Sequence, residues 1–485
     1  MGVIINKNQG EKMNRPNFIL IFADQWRGDC LSVLGHPIVE TPFLDNIAAE
    51  GTIFNSAYSA SPSCIPARAC LATGKTPNGC GRIGYEDKVI WNYEITMMST
   101  LRDNGYQTIN VGKTHFYPQR AHLGFEINNV YDPQDFGNGF VSDYHKWLEK
   151  ESNGAVKDTA KTWNSNMWVA LPWEGPTYMH PTEWTTDTAI EAIEDRDPMR
   201  PFFLQVGYHR PHPPLDPPTY YYDMYKDKEL DDIPIGDWAK VNDIKISDVT
   251  AYKGKLPSNV ADKMRRSYYA SITHIDAQIG KLLFYLNKKG LTNNTYLIFT
   301  SDHGELLGDH HMYRKIMPLE GSAKIPFIVR PAKDFINNRI KVSDLPITHM
   351  DVMPTILEQA GIKIPEGVEG ISFNKVFNGE KVIGRDFIHG EHTGYGQSGW
   401  QFVTDGKQKY FWDSYSGRKW LFDLTIDSKE EKNLINNVEY KDDVEKWEKR
   451  LIDILKDRPE DGLSDGEKLI EGSVPEKVRE WLRNI

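Results

Sequence analysis

Four short strand-like segments, each stopping at residues that carry chemistry, constrain this 485-residue chain more than any other feature. Residues 17–23 (Asn-Phe-Ile-Leu-Ile-Phe-Ala) stop at Asp24-Gln25, and residues 106–111 run through Gly112 into Lys113-Thr114-His115. Residues 201–207 end in Tyr208-His209-Arg210-Pro211-His212-Pro213, and residues 296–300 end in Ser301-Asp302-His303-Gly304-Glu305. The unbroken apolar run 17–23, with no polar alternation, marks a strand buried on both faces of a parallel sheet, and 106–111, 201–207 and 296–300 read as further strands. Open sheets of that kind bind ligands beyond the carboxyl ends of their strands. A single acid after a single strand is an ordinary cap or turn, but the same pattern at four strand ends predicts a site. Lys113 and His115, two residues apart, point the same way if their segment is extended.

Ser63 to Gly74 predicts a helix that opens beside a nucleophile, Cys64. Pro66 suits the first helical position, where its missing N–H costs nothing, and the free backbone donors near Cys64 then face any anion placed there. Arg68, one turn on, adds a planar and permanently charged fork. A lone cysteine before a helix is more often a core residue. Cys30, Cys70 and Cys80 are read that way, and with no Cys-x-x-Cys pair neither a zinc site nor a disulfide framework is expected.

Residues 41–51 read as a helix with Thr41 as cap, Pro42 first, and Phe43, Leu44, Ile47 and Ala48 on the buried face. Residues 265–289 place Ile272, Ile275, Ile279, Leu282, Leu283 and Leu286 on one helical stripe. Residues 132–184 read as an irregular insertion holding Trp147, Trp163, Trp168, Trp173 and Trp184. Its tryptophans serve a substrate pocket, a sugar, an interface or plain packing, and composition does not choose among these. A helix is expected at 186–193. The prolines of 208–213 predict a tight loop that presents His209 and His212.

Beyond about residue 375 the texture changes. Residues 401–404, 409–412 and 419–424 alternate between Asp405-Gly406 and Ser416-Gly417 turns, which predicts a small antiparallel sheet. An amphipathic helix with Val444, Trp447, Leu451 and Leu455 follows, then a last short helix near 478–482. The chain thus divides into a polar leader (1–14), a catalytic domain (15–375) and a C-terminal α+β subdomain (376–485). A net charge of −11 gives no reason to expect nucleic acid or an anionic membrane as partner, so an anionic substrate needs a local basic pocket. No apolar run approaches a membrane span and residues 1–16 hold no signal-peptide core, so a cytoplasmic location is expected.

Cys64-Ile65-Pro66-Ala67-Arg68 with its tail Thr73-Gly74 resembles the signature of the type I sulfatases, in the alkaline phosphatase superfamily. Asp302-His303-Gly304 and Lys315 match that family's second block in the right order. The resemblance implies an α/β fold, a large mostly parallel sheet flanked by helices, with a smaller C-terminal domain of antiparallel strands plus helix. It implies that Cys64 matures to formylglycine, through a formylglycine-generating or an anaerobic sulfatase-maturating enzyme. Asp24, Gln25, Asp302, His303 and an oxygen on residue 64 would bind one divalent cation. Calcium is the family's usual ion, while Gln25 and the softer His303 leave magnesium and manganese open.

By the same resemblance, a hydroxyl of the hydrated aldehyde attacks the sulfur of a small sulfated substrate, giving a formylglycine-sulfate intermediate. His212 protonates the departing alcohol and His115 is the base that expels sulfate. Arg68, Lys113 and Lys315 hold the non-bridging oxygens. A phosphonate monoester or phosphodiester hydrolase shares the formylglycine machinery and the Asp-Gln start, but typically carries neutral residues where this chain has Lys113 and His115. A catalytically silent binder of sulfated ligands is the third reading. The leaving alcohol stays open among sulfated sugar, aryl sulfate and choline sulfate, as does the oligomeric state.

Overall fold

The computed structural model describes residues 15–475 apart from 135, 165, 334–339, 381, 383–384 and 394–397, together with residue 482. The expected leader 1–14 lies outside the described residues, and of the last short helix only Leu482 is described.

Strand Asn17–Asp24 explains why its run has no polar alternation. Phe18, Leu20 and Phe22 pack on one face against Ile65 and Ala69 of helix Cys64–Thr73 and Ile356 of helix Val352–Gln359. Ile19, Ile21 and Ala23 pack on the other face against Ile272, Ile275 and Ile279 of the 31-residue helix Ser258–Lys288. Each such buried side chain contributes about 1.5–3 kcal/mol of transfer free energy. The strand is therefore the middle of a helix–sheet–helix sandwich.

The central sheet has eight strands, in the order Ile127–Val130, Gln107–Gly112, Phe202–Pro211, Asn17–Asp24, Thr295–Ser301, Phe327–Arg330, Thr52–Phe54 and Val342–Ser343. All pairings are parallel except those that Phe327–Arg330 makes with its two neighbours. The carboxyl ends of the strands at 17, 107, 202 and 295 are thereby neighbours in space. A second sheet, antiparallel and four-stranded, runs Ile388–Thr393, Gly399–Thr404, Gln408–Asp413, Lys419–Asp423. Its Phe402, Phe411 and Phe422 pack on Leu306, Met312 and Leu319, while Val403, Tyr410 and Leu421 pack on Trp447, Leu451 and Leu455 of helix Lys441–Leu455.

Several expectations need correction. Helix Pro42–Glu50 is capped not by the Thr41 side chain but by Asp276, whose carboxylate accepts the N–H groups of Phe43 and Leu44 at 3.1 and 2.8 Å. Phe43 itself is 39% exposed. Helix Cys64–Thr73 begins two residues earlier than expected, so Pro66 is its third residue, still within the turn whose N–H groups lack helical partners.

Residues 132–184 are not irregular throughout: they hold helices Asp143–Glu151 and Thr159–Thr162 and the start of Pro181–Glu194. The last is capped by His180, whose Nδ1 accepts the Thr182 N–H, a cap outside the usual Ser/Thr/Asp/Asn set. Trp147, Trp168, Trp173 and Trp184 of that stretch join the core and Trp163 is 53% exposed. Strand Phe202–Pro211 continues through His209-Arg210-Pro211, where a loop was expected, because Pro211 pairs with Asp24 across a register shift. Strand Ile388–Thr393 escaped notice because Ile-His-Gly-Glu-His-Thr is too polar to stand out.

Candidate active site

The four strand ends and the helix start meet at Cys64. Its Sγ lies 3.2 Å from His303 Nε2, 3.2 Å from Lys315 Nζ and 3.8 Å from Asp24 Oδ1. Asp24, Cys64, Asp302 and His303 are all buried, and one ligand atom from each lies within 4.8 Å of the others.

Behind this cluster two cations neutralise the acids. Asp24 Oδ2 accepts Lys113 Nζ at 2.6 Å and Arg68 Nη2 at 3.0 Å, and Asp302 Oδ2 accepts Arg68 Nε at 3.1 Å. Arg68 Nη1 donates to the Lys113 carbonyl at 3.0 Å. Burial pushes the Asp24 carboxyl up, but Lys113, His212, Arg68 and Lys315 together hold it well below the usual carboxylate range. The thiol of Cys64 is raised by burial and by Asp24, yet Lys315, Lys113 and His303 outweigh them and bring it well below an ordinary thiol.

The imidazoles are oriented by carbonyls. His303 Nδ1 donates to Gly304 O at 2.8 Å, which leaves its Nε2 lone pair aimed at the cluster. His212 Nδ1 likewise donates to Pro213 O at 2.9 Å, so its Nε2 accepts from Lys315 Nζ, 3.1 Å away. Burial and Lys315 bring the His212 pKa down to about 4. The His212 N–H donates to Asp24 O at 3.1 Å, fastening one strand end to the next. His115, at φ 63, faces Asp87 at 3.6 Å and Tyr85 OH at 3.5 Å. Burial and Lys113 lower its pKa, but Asp87 and Cys64 prevail and raise it to about 9.

Gln25, also at positive φ (67), is placed on three sides. Its N–H donates to Asp302 Oδ1 at 3.0 Å, its Nε2 donates to Glu305, and its Oε1 accepts Lys315 Nζ at 2.8 Å. Glu305 was in plain view in the fourth strand end, and its role was missed. Its other oxygen accepts the N–H groups of Leu307 and Arg314, which fixes the amide of Gln25 in turn.

A cavity of about 400 Å³ opens above Cys64, with Lys113, His115, His209, His212 and Lys315 on its floor. Arg68 is not among the residues that line the cavity; its guanidinium pairs with Asp24 and Asp302. The aromatic wall of the cavity is built apart from residues 132–184, whose tryptophans the sequence left open among several uses. It comes from Trp238, Tyr252, Trp400, Tyr415 and Trp420, three of them on the C-terminal sheet and its turn, and from none of the tryptophans of 132–184. His392 Nε2 on that sheet reaches Ser63 Oγ at 2.9 Å, next to Cys64.

The donor set fits a hard divalent cation: two carboxylates whose second oxygens are tied back by Arg68, a carbonyl-locked imidazole, and an amide oxygen alongside. A parallel α/β sheet that delivers such a set, a nucleophile and lysines to one pocket defines a hydrolase of anionic esters. The chain belongs to the sulfatase family. The sulfatase family model matches residues 16–362, and the model of the N-sulphoglucosamine sulphohydrolase C-terminal region matches 308–457. An arylsulfatase of Clostridium perfringens is 41% identical over 94% of this chain and 98% of its own length.

Two solved structures share the fold. One, in complex with its substrate D-glucosamine-2-N,6-O-disulfate, has a TM-score of 0.73 at 21% identity, covering 91% of this chain and 98% of its own. The phosphonate monoester hydrolase of Agrobacterium radiobacter has a TM-score of 0.73 at 22% identity, covering 95% and 100%. The protein is a sulfatase, a hydrolase of sulfuric esters. No helix among the described residues is long and apolar enough to cross a membrane.

Proposed function

We propose that this sulfatase cleaves its ester at residue 64 after a maturation enzyme has converted Cys64 to formylglycine, with one divalent cation, calcium, held by Asp24, Gln25, Asp302, His303 and residue 64. The observation that carries this reading is the position of Cys64 Sγ, 3.2 Å from both His303 Nε2 and Lys315 Nζ. A thiol beside a hard cation is a poor match of ligand and metal; a hydrated aldehyde supplies an oxygen nucleophile instead. When bound, the cation would polarise that oxygen and draw charge from the sulfuryl group.

The chain's own residues supply the rest. Lys113 and Lys315 are the cations on the cavity floor and hold the sulfuryl oxygens. Lys315 and His212 share a proton between Nζ and Nε2, and this pair protonates the leaving alcohol. His115 is the base that regenerates the aldehyde. Part of the upward push on His115 comes from Cys64, and formylglycine is uncharged, so conversion moves His115 toward the neutral form that a base needs.

The phosphonate reading keeps the same machinery, and the fold likeness to a phosphonate monoester hydrolase gives it weight. Lys113 and His115, both facing the cavity, favour sulfate. The test is sulfate release from an aryl sulfate beside phenol release from the matching aryl phosphonate monoester, on one matured preparation. The sulfate should turn over faster; the reverse order would overturn the reading.

A further inference from the structure

The cavity above Cys64 carries more positive charge than the chemistry on its floor uses. A sulfate monoester brings one negative charge. On the floor, Lys113 is already matched by Asp24 at 2.6 Å, and Lys315, which forms no close ion pair among the described residues, bonds to Gln25, Cys64 and His212. Lys253, Arg314 and Arg418 line the same cavity. Among the described residues, none of these three forms an ion pair with a carboxylate.

Their hydrogen-bond and ring partners are neutral, and Arg314 also lies within electrostatic reach of the Asp248 carboxylate. Arg418 Nε donates to Ser416 Oγ at 3.2 Å, and its guanidinium lies 5.2 Å from the Trp420 ring centre. Arg314 donates to the Thr250 carbonyl, and the Lys253 ammonium lies 5.6 Å from the Tyr252 ring centre. The acid on this wall, Asp413, is occupied: its carboxylate accepts the N–H groups of Gly399 and Tyr415 at 3.1 and 3.3 Å and the Ser416 hydroxyl at 2.5 Å. In a chain of net charge −11, three cations that form no close ion pair among the described residues, gathered around one cavity, are a local inversion of the protein's field.

Two separate elements present them. Lys253 bridges to Met312 and the Tyr313 N–H donates to Tyr252 O at 2.9 Å, so Lys253 and Arg314 belong to one pair of zipped segments. Arg418 comes from the C-terminal sheet, between strands Gln408–Asp413 and Lys419–Asp423. Trp238, Trp400 and Trp420 line the same cavity.

We propose that Lys253, Arg314 and Arg418 form a subsite for a second anionic group, a sulfate or a carboxylate, on the same substrate molecule as the scissile sulfate. The preferred substrates are then ring compounds with at least two negative charges. This rests on the reading of the cavity floor as a sulfate-ester site.

The test compares 4-nitrophenyl sulfate with the same ring carrying an added carboxylate or sulfate, on matured full-length protein. Wild type should favour the doubly charged substrate in kcat/KM by about tenfold. In Lys253→Gln and Arg418→Gln that preference should shrink by about three- to tenfold each, through KM rather than kcat. Comparing the carboxylate with the sulfate identifies which anion the subsite takes. A ratio near one in wild type, or variants that depress both substrates equally, would overturn the proposal. Binding of the same pair to Cys64→Ala separates the two readings. If neither compound releases sulfate from matured wild type yet the charge preference persists in binding, the floor reading has failed and the subsite stands.

Discussion

Lys315 Nζ lies 3.1 Å from His212 Nε2, and because His212 Nδ1 is committed to the Pro213 carbonyl, the only place for a proton between them is the line joining these two nitrogens. The same ammonium is 3.2 Å from Cys64 Sγ. A cation, an imidazole and the nucleophile thus form one contiguous unit at the floor of the cavity.

Removing the imidazole should therefore expose how far the leaving group needs a proton. His212→Ala is expected to lower kcat by about 10²–10⁴-fold on an alkyl sulfate and by much less on 4-nitrophenyl sulfate. Steady-state rates on the two substrates check this. An equal loss on both would assign His212 to binding rather than to proton delivery.

Arg68 braces two buried acids, with Nη2 3.0 Å from both Asp24 Oδ2 and Asp302 Oδ2. Arg68→Ala leaves that pair short of a counter-charge and should destabilise the metal-free protein by about 3–5 kcal/mol, as loss of one partner of a buried ion pair does. Urea unfolding measures it, and added calcium should restore part of the loss.

Glu305 acts at one remove, by accepting the Gln25 amide N–H. Glu305→Gln sets amide donors against each other and should weaken calcium binding by about 10–100-fold while the fold is retained, the usual effect of losing an outer-shell partner. Calorimetric titration of calcium, with circular dichroism as control, reads both.

His36 gives a pH dependence away from the site. Its Nδ1 accepts the N–H groups of Ile38 and Val39 at 3.2 and 3.0 Å, and burial, opposed by Asp29 and Asp231 and joined by Arg27 and Lys429, brings its pKa down from 6.5 to about 4. Between those values the unfolded chain binds the extra proton and the native protein does not, so the contribution is complete above 6.5 and is lost as pH falls toward 4. The drop in urea midpoint from pH 7 to pH 5 should be smaller in His36→Asn than in wild type. An unchanged drop would contradict this.

Legibility in the sequence followed periodicity. The strand cores were readable because an apolar run between two helical layers has no solvent side, and the residues just past each run fell at the site because parallel strands end together. What Arg68 faces was not readable. Its partners Asp24 and Asp302 lie 44 and 234 residues away, and nothing local distinguishes a guanidinium that grips substrate from one that backs the acids. The aromatic wall was hidden for the same reason. Trp400 and Trp420 look like ordinary alternating strand residues until the C-terminal sheet folds over the cavity. The Asp276 cap and the exposed Phe43 likewise depend on where the long helix passes.

The central claim is that residue 64 works as an aldehyde and not as a thiol. The most direct test is the mass of the tryptic peptide 28–68, measured on preparations made with and without a sulfatase-maturating enzyme and set against sulfate release by the same samples. Activity should rise in proportion to the fraction of peptide carrying the aldehyde and vanish when that fraction is zero. Full sulfate release from protein whose Cys64 is entirely thiol would contradict it.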